Sequence, residues 1–354
     1  MSAQGRCLDL VLAGGPDVGF GHVMRGGAIA AEARHRGWSV RLHLAGDENA
    51  ADRLAEASGC PEIRPWTAWP GSRPADLALL DIPGEKAPWL DRCERAGVPT
   101  VVLDDDRARD RARLTIGPSL HALPVESADH IAGPRYAVLS KAHLGTRRLP
   151  LEPRDELLLS LGGSDPHGVT LRVAPVVRRL LESSTIDGPG IATRHVVLGP
   201  GFREADAAAA QLSAAGWRVH RALSREAMAY RMSRARLAVA GFGTSLAELA
   251  WLGTPFVSIT HHAADDRLAR ALEARGIGRH LGFARELVDA SLESGLQALE
   301  APDWQRSSAR LALSALDGGI GARRIVEKLE EITSSAELGR VPGVNTRGSH
   351  VPVS

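Results

Sequence analysis

The sequence predicts an α/β protein made of two Rossmann-type domains that face each other across a cleft. Short apolar runs alternate with longer amphipathic ones along nearly the whole chain, the pattern of βα units feeding a parallel sheet. That alternation breaks once, around Gly145–Pro153, into arginines and prolines (Arg147, Arg148, Pro150, Pro153), and then restarts. The length of 354 residues suits two domains of ordinary size.

Taken in order, Cys7–Ala13 is apolar apart from Asp9 and reads as a first buried strand, followed by a glycine-rich turn and a helix to about Arg36. Trp38–Ala45 reads as a strand, Asp47–Ser58 as a helix, Leu77–Asp81 as a strand and Pro88–Ala96 as a helix with proline near its start. Thr100–Asp104 and the short Leu114–Ile116 complete a first domain over residues 1–146, with a linker at 147–155. The second domain, residues 156–302, repeats the alternation. Strands are expected at Glu156–Leu161, His195–Gly199, Arg218–His220, Leu237–Ala240 and Phe256–Ile259. Helices are expected at Val169–Ser183, Arg203–Ala215, Ser224–Ser233, Ser245–Leu252, Asp265–Arg275 and Ala284–Leu299. Within residues 303–333, helices at Trp304–Leu316 and Gly321–Ile332 follow, the last expected to pack back on the first domain. Residues 336–354 lack any period and read as a flexible tail.

Composition excludes several classes of function. Forty-three basic and 42 acidic side chains leave a formal charge of +1, so no global field draws the chain to nucleic acid or an anionic membrane. A hydrophobic content of 44% excludes wholesale disorder. Cys7, Cys60 and Cys93 show no CxxC spacing, which argues against a disulfide framework or a thiolate zinc site and fits a reducing cytoplasm. The apolar stretch Leu8–Ala13 is too short for a signal-peptide core or a membrane span.

In facing Rossmann-type domains, ligands sit beyond the carboxyl ends of the strands, where loops feed helix N-termini. Three such loops carry unusual sequence. In AGGPDVGFGHVMRGG, Gly19 and Gly21 allow close backbone approach to a ligand, while His22 and Arg25 open the helix; a histidine there can move a proton near neutral pH. In SLGGSDPHG, Gly162 and Gly163 present amides, and Ser164 and Asp165 either cap the next helix or bond a sugar hydroxyl. In AGFGTSLAEL, Gly243, Thr244 and Ser245 suit phosphate oxygens, and Glu248 either accepts from ribose hydroxyls or simply favours the helix dipole. The GxG spacing is not the dinucleotide fingerprint, and neither a GxSxG elbow nor a P-loop lysine is present. His261–His262 with Asp265–Asp266, and the run Asp104–Asp105–Asp106, read as solvated loops rather than metal sites.

GFGHVMRGGAIAAEARHRGW resembles the opening motif of the PseG/SpsG family of UDP-sugar hydrolases of pseudaminic acid biosynthesis. LLLSLGGSDPHGVTLRV, RARLAVAGFGTSLAELAWLGTPFVSI and ALDGGIGARRIVEKL resemble, in the same order, that family's second-domain opening, nucleotide-binding segment and C-terminal signature. The architecture is shared with MurG-type glycosyltransferases, whose nucleotide loop HHAADD resembles in part. The resemblance implies a GT-B-like pair of domains, His22 as catalytic acid/base, and a nucleotide held by Gly243, Thr244, Ser245 and Glu248. Asp265, in the HHAADD loop, is then expected to meet hydroxyls, since a carboxylate repels a diphosphate. Departures are also evident: Val11 and Ala13 stand where the family carries Arg-x-Asp, and Gly26 stands where it carries Cys.

The expected activity is hydrolysis of a UDP-linked amino sugar to UDP and free sugar, without metal or cofactor. Two alternatives are a glycosyltransferase, with an acceptor hydroxyl in place of water, and a sugar-nucleotide-binding protein without catalysis. The expected partner is a UDP-sugar, with no nucleic acid and no membrane span, and the oligomeric state is left open.

Overall fold

The structure, a computed structural model, describes residues 6–15, 18–70, 74–163, 165–183, 191–221, 223–296 and 301–338. Its first part contains β1 (Cys7–Gly14), α1 (Gly21–His35), β2 (Ser39–Gly46), α2 (Glu48–Ser58), β3 (Ile63–Pro65) and β4 (Leu77–Asp81). These are followed by α3 (Ala87–Ala96), β5 (Thr100–Leu103), β6 (Leu114–Gly117), β7 (Val125–Glu126), β8 (His130–Ala132) and α4 (Lys141–Gly145). The second part runs β9 (Glu156–Ser160), α5 (Val169–Ser183), β10 (Thr193–Leu198), α6 (Ala205–Ala214), β11 (Arg218–Arg221), α7 (Arg225–Arg234) and β12 (Ala235–Gly241). It continues through α8 (Ser245–Trp251), β13 (Phe256–Thr260), α9 (Ala263–Ala274), β14 (Arg279–Phe283), α10 (Asp289–Leu296), α11 (Pro302–Ala315) and α12 (Gly321–Leu338).

Two sheets result. The first has eight strands in the order β3-β2-β1-β4-β5-β6-β8-β7, parallel except for the β7–β8 pair. The second has six parallel strands in the order β11-β10-β9-β12-β13-β14. In each sheet the chain first builds outward on one side and then returns to the other side of its first strand. The strand order therefore reverses between β1 and β4 and between β9 and β12, and loops at such a switch point diverge to leave a crevice. The loops singled out in the sequence follow β1, β9 and β12, so all three lie at a switch point.

Each sheet is buried on both faces. Leu8, Leu10 and Leu12 of β1 pack against α1, while Val11 and Ala13 face Trp69 and Leu90 on the other side. In the second sheet Leu157 and Leu159 of β9 face α5, and Leu158 faces α8. The last helix returns to the first sheet: Ile325, Val326 and Leu329 of α12 are fully buried in the core that contains β1 and α1. At about 1.5–3 kcal/mol per buried aliphatic side chain, these three make that docking a substantial contribution to stability. Conversely, Leu120, Ala137 and Leu139 from the first part are buried in the core around α8 and β12, so the two parts share packed side chains.

Some expected boundaries move. The helix expected over Ala284–Leu299 is confined to Asp289–Leu296 among the described residues, because Ala284 and Leu287 anchor an irregular segment in the core instead. Strand β14 precedes it, with Gly282 at φ +124°; lying at the sheet edge, it lacks a continuous apolar run. No helix of the described residues is long and apolar enough to cross a membrane.

Candidate active site

His22 sits in the first turn of α1. The preceding loop closes on itself: Gly15 N–H donates to the Gly19 carbonyl (3.1 Å) and Gly19 N–H to that of Gly15 (2.7 Å), with Gly19 at φ +83°. At the adjacent strand Asp81 ends β4, fully buried and in register with Leu12 of β1. His22 Nδ1 lies 2.6 Å from Asp81 Oδ1. One turn along α1, Arg25 clasps the same carboxylate, Nε to Oδ2 at 2.8 Å and Nη2 to Oδ1 at 2.6 Å, and its Nη1 donates to Asp104 Oδ2 at 2.5 Å. Asp104 follows β5 in the left-handed region at φ +53°.

The electrostatics of this group keep its two buried members, Asp81 and Arg25, charged. Burial pushes the Asp81 carboxyl up, but the charges of Arg25 and His22 outweigh it and hold the group well below the usual carboxylate range. Burial likewise opposes the charge on Arg25, and Asp104 and Asp81 raise its pKa nonetheless. An ionised Asp81 can only accept a hydrogen bond, so His22 Nδ1 carries the proton that points at it. When the ring is neutral its Nε2 is then the acceptor, on a side chain that is 24% exposed. A buried carboxylate orienting a histidine in this way is the arrangement of a general base.

The second sheet brings its loops to the same cleft. A Cβ placed on Gly21 would sit 3.6 Å from Thr244 Cγ2, so the residue before His22 faces the loop after β12. Gly163 faces the Phe20 ring, where a Cβ would come to 3.4 Å. Gly162 has φ +94°, and the loop packs so closely on Gly199 that a Cβ there would lie 2.3 Å from the Gly163 carbonyl oxygen. Gly243 and Ser245 are half-buried and Thr244 is exposed at the start of α8. Glu248, half-buried in α8, has Oε1 3.5 Å from Nδ1 of the buried His143, which in turn is 2.8 Å from Ser140 Oγ.

Two carboxylates of the second domain differ in their surroundings. Asp165 spends its carboxylate on capping α5, Oδ1 accepting from Val169 N–H (2.9 Å) and Oδ2 from Thr170 N–H (2.7 Å). Asp265, in the first turn of α9, is half-buried, and burial first and the Asp104 charge also raise its pKa while His262 lowers it. Ser164 lies outside the described residues. Of the other polar candidates, Asp105 pairs with Arg107, Asp266 with His280 and Arg270, and His261 Nε2 is 2.9 Å from the Leu161 carbonyl. No cluster of three or more metal-ligating side chains occurs among the described residues.

Sequence reading missed Asp81 as a partner of His22. A signal for it exists: an apolar run, LALLD, that ends on a carboxylate at the cleft end of a parallel strand. What the sequence does not reveal is that β4 lies beside β1, which depends on the reversal of strand order.

No protein family and no curated protein matches the sequence. Among solved structures, MurG of Acinetobacter baumannii is similar with a TM-score of 0.61 and 16% identity, covering 92% of this chain and 99% of that one. The kitacinnamycin glycotransferase is similar with a TM-score of 0.64 and 15% identity over 93% of this chain and 100% of its own. The UDP-GlcNAc 2-epimerase from Neisseria meningitidis, solved bound to UDP-GlcNAc, has a TM-score of 0.62 and 12% identity over 92% and 100%. At these identities the likeness is one of fold: the chain is a GT-B-like α/β protein, two Rossmann-type domains facing across a cleft.

Proposed function

We propose that the chain is a nucleotide-sugar-dependent glycosyltransferase in which His22 is the general base. The observation that carries this reading is the His22 Nδ1–Asp81 contact of 2.6 Å, made at the switch point of the first sheet and facing the Thr244 loop of the second. In the reaction, Nε2 takes the proton of an acceptor hydroxyl while that oxygen attacks the anomeric carbon. The bond from that carbon to the diphosphate breaks, and its electron pair leaves with UDP. Asp81 stabilises the imidazolium that forms, as Arg25 and Asp104 hold the carboxylate in place. Gly163 and the Gly243–Ser245 segment supply amides and hydroxyls for the departing diphosphate, and Glu248 accepts from the ribose. Asp265 meets hydroxyls of the glycosyl group. The similar folds of a glycotransferase and of an epimerase bound to UDP-GlcNAc support a nucleotide sugar as donor.

A second reading keeps the same base and replaces the acceptor by water, giving a UDP-sugar hydrolase of the PseG/SpsG kind. The GFGHVMRGG segment favours it, since it resembles that family's motif around the catalytic histidine. One experiment tests both: a panel of UDP-sugars is incubated with the protein, with and without hydroxyl acceptors. Transfer gives UDP and a glycosylated acceptor together, and neither without acceptor. Free sugar and UDP from donor alone establish hydrolysis. Binding of UDP with no turnover of any donor contradicts both readings.

A further inference from the structure

The loop after β6 carries a histidine that the base network does not use. His121 lies just beyond the carboxyl end of β6, in a turn that Ala122 N–H closes on the Ser119 carbonyl (3.1 Å). The second domain holds this turn on both sides. Leu120 is buried in the core around α8, and Arg275 Nη1 lies 3.4 Å from the Leu120 carbonyl oxygen and 3.5 Å from that of Ala122. The His121 ring packs on Phe242, with centroids 4.6 Å apart and planes tilted by 37°. Phe242 opens the loop after β12 that continues into Gly243 and Thr244. Those two residues line one cavity together with Ser119, Leu120 and Arg25 of the base network. His121 therefore borders the cleft where that network meets the Gly243–Ser245 segment.

The ring's surroundings decide which nitrogen carries its proton. Burial pushes the His121 pKa down to about 4; Asp104 acts against this, while Arg25 and Arg275 act with it. The imidazole is accordingly neutral at neutral pH. Nδ1 is buried and has no hydrogen-bond partner, whereas Nε2 is not among the buried unpartnered atoms and makes no hydrogen bond among the described residues. A bare buried N–H is costlier than a bare buried acceptor, so the proton belongs on Nε2. His121 thus offers an uncharged N–H at the cleft. Such a donor pairs only with a lone pair, as on a hydroxyl or carbonyl oxygen.

We propose that His121 is a specificity-determining residue whose Nε2–H donates a hydrogen bond to an oxygen of the glycosyl group, a hydroxyl or an acyl carbonyl. No proton changes hands at this contact: His22 moves a proton, and His121 keeps its own. The inference rests on the nucleotide-sugar reading, in which the glycosyl group lies between His22 and the Gly243–Ser245 segment.

The test uses the UDP-hexose or UDP-N-acetylhexosamine that the wild-type protein turns over fastest. Two variants are compared with it: His121→Phe keeps a ring against Phe242 and loses the donor, and His121→Gln places an amide N–H near the position of Nε2. Steady-state kinetics over a range of pH, UDP titrations and melting curves are recorded for each. In His121→Phe, kcat/KM is expected to fall at least about tenfold, by the same factor at every pH, with UDP affinity kept within about a factor of two. His121→Gln is expected to retain most of the wild-type value. The melting temperature of His121→Phe is expected to hold or rise, since a buried polar atom without a partner has been removed. A loss shared by UDP affinity, by the melting temperature or equally by His121→Gln overturns the proposal, as does a loss that varies with pH. Wild-type turnover with an unaffected His121→Phe removes this proposal alone. Wild-type protein that turns over no UDP-sugar removes the nucleotide-sugar reading and this proposal with it.

Discussion

Asp81 determines what His22 can do. With the carboxylate ionised and clasped by Arg25, a neutral ring has Nδ1 as donor and Nε2 as acceptor; with an amide in its place, Nδ1 can equally become the acceptor and Nε2 the donor. Asp81→Asn is therefore expected to lower turnover by roughly 10²–10⁴-fold while leaving UDP affinity within a factor of a few, because the ring and not the nucleotide loops is affected. Steady-state kinetics beside a UDP titration check this. The same residue carries an acid-stability consequence. Its folded pKa is depressed, so its contribution is complete above the ordinary carboxylate range, near about pH 4, and is lost as the pH falls below it. His22 was legible in the sequence because glycines and a helix start surround it. Asp81 was not, because a strand's last residue acquires meaning only from the strand beside it. Asp165 was legible as one of two roles, and its paired bonds to the amides of Val169 and Thr170 show the capping role.

At the scale of elements, α1 holds His22 in place by packing unusually close to its neighbours. A Cβ on Gly26 would lie 2.4 Å from Leu12 Cδ2 of β1, and one on Gly27 would lie 2.1 Å from Ala57 Cβ of α2. Two successive glycines within a helix cost propensity, and here they let α1 lie against a strand and a helix at once. Gly27→Ala is accordingly expected to destabilise the protein by about 1–3 kcal/mol despite alanine's better helix propensity, since Ala57 is itself held by α2. Urea denaturation of wild type and variant checks this, and an unchanged or raised midpoint contradicts the packing argument. The central strands were legible from their apolar runs: β1, β4, β9, β12 and β13 all lie where the sequence places them, within a residue or two. Of the edge strands, β11 was expected at Arg218–His220, whereas β3 and β14 were not. Ile63–Pro65 contains arginine and proline, and Arg279–Phe283 contains arginine, histidine and glycine, because an edge strand is neither flanked on both sides nor obliged to be wholly apolar.

At the scale of the molecule, two sheets reverse their strand order at points that face one another, and the sequence's three unusual loops all emerge there. The two halves and their alternation were readable from hydrophobic runs. Their shared packing was readable only in part: the expected return of the last helix describes the burial of Ile325, Val326 and Leu329, but nothing in the sequence marks Leu120, Ala137 and Leu139 for the core around α8. Such cross-packing fixes the two carboxyl-end faces toward each other, which is what places His22 of one domain beside the Thr244 loop of the other. The central claim is that this base acts on a nucleotide sugar bound in the cleft. Its most direct test is the rate of UDP release from a turned-over UDP-sugar by wild type and His22→Ala, with UDP affinity and melting temperature measured on the same samples. The account predicts a loss of at least about a hundredfold in rate with affinity and stability retained; release of UDP by His22→Ala at the wild-type rate contradicts it.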